Sequence, residues 1–128
     1  MPQDQTTGAE ANEFGKRMAA IVAEKIGAER ADSEGNEFLW KGKRITIRSA
    51  HKNNSYVGVL SGMLARVDTV LAAIETNVKD EFQVWALDKS TYLAHSKPQV
   101  KNPMIAQVAT KAFTVNCSGL IAKVRDRN

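Results

Sequence analysis

The chain has 128 residues, 43% of them hydrophobic and 25% charged, the make-up of one domain that buries a core and not of a disordered or two-domain protein. Its net charge of +4 is a moderate excess whose meaning depends on where it sits. A lone cysteine, Cys117, cannot close an intramolecular disulfide, the polar start M-P-Q-D-Q-T-T-G does not read as a secretory signal, and apolar runs such as Val70 to Ile74 are too short to span a bilayer, so the expectation is a soluble cytoplasmic protein with no membrane partner.

Residues 1–9 read as a disordered tail and 10–128 as a single domain. From Glu10 to Ile26, Phe14, Met18, Ile21, Val22 and Ile26 recur at helical spacing, and Gly27 follows as a stop. After the turn cluster Ser33-Glu34-Gly35-Asn36, Glu37 to Trp40 and Lys43 to Ser49 read as strands of a hairpin turning at Lys41-Gly42. In the second strand Ile45 and Ile47 point one way while Arg44, Thr46 and Arg48 point the other. Lys52-Asn53-Asn54 turns the chain into a strand from Ser55 to Leu60, and Ser61 to Val67 reads as a short helical turn. Thr69 to Glu75 and Phe82 to Leu87 are apolar strands separated by the polar turn Asn77 to Asp80.

Ser90 reads as the cap of a short helix through Ala94, and Asn102-Pro103 as the start of a helix through Met104 to Ala109. Phe113 to Cys117 reads as a strand and Leu120 to Val124 as a terminal helix. The expected fold is α/β (α+β): a central mixed β-sheet of about five strands flanked by helices.

The charge is unevenly placed. Lys41, Lys43, Arg44, Arg48, His51 and Lys52 fall in a stretch that holds no acid, whereas Asp68 to Asp88 carries most of the acid of the second half. Such a stretch fits phosphate contacts, and it also fits an ordinary solvated strand face. Trp40 and Tyr56 flank it and are candidates to stack on bases, while Trp85 sits in an apolar strand and reads as core. His51 and His95 lack acids or cysteines at metal-ligand spacing, so a zinc site is not expected, and Cys117 reads as a small apolar residue. No phosphate-loop or dinucleotide-binding glycine motif occurs.

The run G-N-E-F-L-W-K-G-K-R-I-T-I-R-S-A, from Gly35 to Ala50, resembles the core of the PD-(D/E)XK nuclease superfamily, in which an acid-bearing strand, a turn and a strand reading roughly V-E-V-K-S-A follow an N-terminal helix. The helix end A-E-K-I-G (Ala23 to Gly27) and the later strands D-T-V-L-A-A-I and F-Q-V-W-A-L are similar too, so the resemblance covers roughly residues 14–95. It implies a restriction-endonuclease-like fold and a site built on Glu37, Thr46 and Arg48. Glu37 falls at the first metal-binding acid. Thr46 replaces the second acid, Arg48 replaces the catalytic lysine, and Ala19 stands where some relatives carry a helix glutamate.

A hydroxyl is a poor Mg²⁺ ligand, and arginine binds phosphate without serving as a base. The expectation is therefore a DNA-binding domain, catalytically impaired, with Lys41, Lys43, Arg44, Arg48, His51 and Lys52 on nucleic acid. One alternative is an active Mg²⁺-dependent endonuclease in which Glu37 binds the metal, helped by Asp32, Glu34 or Glu24. Another is a homodimeric interaction module that pairs through Thr69 to Glu75 or Phe82 to Leu87 at a sheet edge.

Overall fold

The computed structural model describes residues 5–31, 36–116 and 119–126, with side chains from Glu13 onward. Helix α1 (Gln5–Ile26) begins upstream of Glu10, and residues 1–4 of the expected tail lie outside the described residues. The helix ends where the sequence says it should. Gly27 takes φ +78°, and Ala28 N–H returns to Ala23 O at 2.8 Å, closing the last turn. Next come β1 (Glu29–Arg30), β2 (Glu37–Trp40) and β3 (Lys43–Ala50). The two-residue loop between β2 and β3 puts Lys41 at φ 52° and Gly42 at φ 77°, the paired left-handed conformation that suits the twist of a tight hairpin.

The chain continues through β4 (Tyr56–Leu60), α2 (Ser61–Leu64), β5 (Thr69–Glu75), β6 (Glu81–Asp88) and α3 (Lys89–His95). It ends with β7 (Lys97–Pro98), β8 (Ile105–Ala109), α4 (Thr110–Asn116) and β9 (Ala122–Arg125). The fold is mixed α/β with two sheets instead of one. A six-stranded sheet has the order β1-β2-β3-β5-β6-β9, and a three-stranded antiparallel sheet has the order β4-β8-β7. In the larger sheet β3 and β5 run parallel, and the other neighbours run antiparallel.

Helix α1 covers one face of the large sheet. Met18, Ala19, Val22 and Ala23 pack there on Phe38, Ile45, Ile47, Leu71, Phe82 and Val84. The other face meets the small sheet and the short helices, where Val57, Val59, Tyr92, Val108 and Phe113 pack on Ala50, Val70, Ala72 and Leu87. A bidentate pair closes the first layer: Arg17 donates to Asp126 through Nε at 2.6 Å and through its second guanidinium nitrogen at 2.8 Å.

Five further expectations are corrected. Residues after Asn102-Pro103 form strand β8, not a helix. Asn102 accepts from Met104 N–H at 3.1 Å, as a helix cap would, but Ala106 and Val108 then alternate inward against β4 and the tertiary pairing decides the form. The stretch expected as a strand from Phe113 is helix α4, anchored by buried Phe113 with Val115 exposed, and Cys117 lies outside the described residues. The expected terminal helix is β9, held at the sheet edge by β6. The cap of α3 is Asp88, whose carboxylate accepts Thr91 N–H at 2.8 Å, while Ser90 donates its hydroxyl to the same oxygen. The strands proposed to pair across a dimer are both interior: β5 lies between β3 and β6, and β6 between β5 and β9, so neither has a free edge.

Candidate functional site

The hairpin brings the three motif positions to one face. Glu37 and Thr46 are direct partners across β2 and β3, and Arg48 follows two residues along β3. Their neighbours Phe38, Ile45 and Ile47 all belong to the α1 side, so Glu37, Thr46 and Arg48 point away from α1 toward the small-sheet side. Glu24 does not join them. It is exposed on α1, across the large sheet, and lines a groove with Lys25, Lys123 and Arg125. Ala19 is wholly buried in the α1 packing. Asp32 and Glu34 lie outside the described residues.

Glu37 is buried, with its side chain 3% exposed, and both its oxygens are engaged. Arg44 Nη1 donates to Oε2, and Arg66 Nε, reaching over from the segment after α2, donates to Oε1 at 3.0 Å. The two guanidiniums are about half exposed, at 51% and 53% of their side-chain surface. This clamp satisfies a buried carboxylate that would otherwise be costly. It also commits both Glu37 oxygens to arginine donors. Thr46 beside it is buried and neutral. Among the described residues no three His, Cys, Asp or Glu side chains converge. Among the described residues the three motif positions do not by themselves fit a Mg²⁺ site: one clamped acid, a hydroxyl, and an arginine at the lysine position.

Arg48 has a different environment. Its side chain is exposed, yet desolvation by the surrounding protein lowers its pKa from the ordinary arginine value, with the Tyr92 phenol acting in the other direction. Among the described residues Arg48 has no hydrogen bond and no ion pair. Tyr92, buried behind it, donates to the carbonyls of Val57 and Ala106 at 3.1 and 2.7 Å, and burial raises its own pKa.

The other basic candidates separate. Lys41 sits 4.8 Å from the centroid of Trp40, and Lys43 lies exposed within the field of Asp88. His51 stacks on Phe14 with ring centroids 4.0 Å apart, on the α1 side, and its Nδ1 lies 3.3 Å from Glu75 Oε1. Lys52 is exposed and gives its backbone N–H to the same oxygen at 2.9 Å. Trp40 packs against the first core and donates its indole N–H to Ile26 O at 3.2 Å, and Trp85 packs against the second. Tyr56 remains 46% exposed.

The sequence reading missed Arg66. Its signal was that no Asp or Glu occurs from Phe38 to Val67, so a buried acid just before that run draws its counter-charges from within it. The chain matches no protein-family model and no curated protein. No helix among the described residues is long and apolar enough to cross a membrane.

Proposed function

We propose that the chain is a nucleic-acid-binding domain on a restriction-endonuclease-like frame, holding the phosphodiester backbone without cleaving it. The observation that carries this reading is Arg48: a cation on the same sheet face as Glu37, without a hydrogen-bond or ion-pair partner among the described residues, beside an acid already neutralised by two other arginines. A phosphate supplies what that group lacks. Charge-assisted hydrogen bonds to a phosphate oxygen are the strong kind, and the half-exposed guanidiniums of Arg44 and Arg66 add positive potential beside it. Replacement of the family's lysine by arginine supports holding over cutting, because arginine stays protonated and cannot serve as a base.

Contacts of this kind neutralise phosphates and release counterions, so affinity falls with salt and depends little on sequence. Arg48→Ala is expected to weaken binding to a short DNA duplex and to reduce the slope of log K against log salt by about one contact's worth, ~0.9. Fluorescence anisotropy across a salt series reads both quantities. A variant with wild-type affinity and slope removes the basis of the proposal.

A further inference from the structure

The layer opposite α1 is acid-free. No Asp or Glu occurs from Phe38 to Val67 or from Lys89 to Arg125, and these two runs supply all of β4, α2, α3, β7, β8 and α4. The fold stacks them on one side of the large sheet, while the carboxylates stay on α1, on the large sheet and on its connections. Lys97, Lys101 and Lys111 therefore project from a layer with no acid of its own.

The outer face of the small sheet is part-exposed among the described residues. Val57, Val59 and Val108 turn inward to the core, so the residues that alternate with them turn out. Tyr56 is 46% exposed there and Leu60 55%. Between them Gly58 has no side chain, and the Ile105 Cγ2 methyl leans into that space, 2.8 Å from where a Cβ would lie. Gln107 pairs with Gly58 on one side and with Lys97 on the other. The Lys97 ammonium comes within 6.0 Å of the Tyr56 ring centroid.

We infer that this outer face binds single-stranded nucleic acid, with a base stacked on Tyr56 and the adjoining phosphate on Lys97. The inference rests on the nucleic-acid reading proposed above and names the strand form taken by a second surface. An exposed aromatic on a flat antiparallel face accepts the π-face of any unpaired base, whereas a duplex keeps its bases inside the stack. A methyl-lined strip beside the ring leaves room for the sugar and the next base. The acid-free layer provides charge complementarity to a polyanion over the whole surface, which a neutral peptide or a second copy of the same cationic face would not exploit.

The test measures anisotropy of labelled oligothymidylate and of a labelled duplex with the full chain. Tyr56→Ala is expected to weaken oligothymidylate binding about ten-fold while leaving duplex binding unchanged, and Tyr56→Phe, which keeps the ring, should retain wild-type affinity. Lys97→Gln should reduce the salt dependence for the single strand. If Tyr56→Ala binds oligothymidylate as wild type does while the duplex still responds to Arg48→Ala, the platform is wrong and the proposed function stands. Binding of neither nucleic acid by the wild type overturns both. A Tyr56-dependent dimer in sedimentation that excludes oligothymidylate overturns the platform by showing the face to be a self-association surface.

Discussion

Replacing Glu37 by glutamine separates a structural carboxylate from a metal ligand. The change keeps the shape and one acceptor oxygen but removes the charge that holds Arg44 and Arg66. A hydrogen bond to a charged group contributes about 1.5–3 kcal/mol when buried. Here the acid is buried but both guanidiniums are about half exposed, so water screens part of the interaction and receives the arginines once they are released. The expected loss of stability is therefore about 1–3 kcal/mol, short of the full sum of two bonds. For a domain of this size that lowers Tm by roughly 4–10 °C.

Binding should move the other way. Without the carboxylate this face presents Arg44, Arg48 and Arg66 free of Glu37, so duplex affinity at low salt should rise several-fold, and the salt slope should steepen by about 0.9 for each new phosphate contact. Denaturation melts and anisotropy of the same preparation give the two answers. In an enzyme that binds metal through Glu37, plasmid incubated with wild type and Mg²⁺ or Mn²⁺ would be cut, and Glu37→Gln would abolish cutting. That pair of results, or a Glu37→Gln protein that binds DNA more weakly, refutes the reasoning.

Two further outcomes follow from the local geometry. Asp88→Ala removes the cap of α3 and should cost about 1 kcal/mol in chemical denaturation, because Thr91 N–H loses its acceptor; an unchanged midpoint would show the cap to be dispensable. Glu75 is held below the usual carboxylate range first by the Lys52 backbone N–H, then by that of Asp80 and by His51. A lowered folded-state pKa gives stability that is complete above the unfolded carboxylate value, about 4.3, and is lost as pH falls through the folded value. Glu75→Gln should therefore flatten stability against pH below about 4.3, as read by denaturant melts between neutral and acid pH.

How much was legible in the chain depended on whether an element's form was set locally. The β2–β3 hairpin was readable because Lys41-Gly42 sits between strands whose alternation fixes their faces, and β5 and β6 because each is an apolar run bounded by turns. The stretch from Ile105 to Arg125 was not. β8 and β9 are five and four residues long, too short for either period to show, and each takes its form from a partner elsewhere in the sequence, β4 or β6. The same limit hid the second sheet: β4 read correctly as a strand, but nothing within it says that it leaves β3 to pair with β8.

The site divides along the same line. That Glu37, Thr46 and Arg48 share a face follows from a period of two, and the structure places them so. What each does there depends on residues far away in sequence. Arg66 lies 29 residues from Glu37 and converts a candidate metal ligand into the centre of an ion-pair clamp. Arg48 takes its electrostatic surroundings from a layer that includes Tyr92, which comes from α3. The two acid-free runs were visible as strings of letters, but their meaning required knowing that the fold stacks them into one layer. A charge pattern in sequence becomes an interaction surface when topology brings its pieces to the same side. Here it does so in the layer whose outer face presents Tyr56, beside the large-sheet face that carries Arg48, and charge and ring together are the physical case for the proposed nucleic-acid ligand.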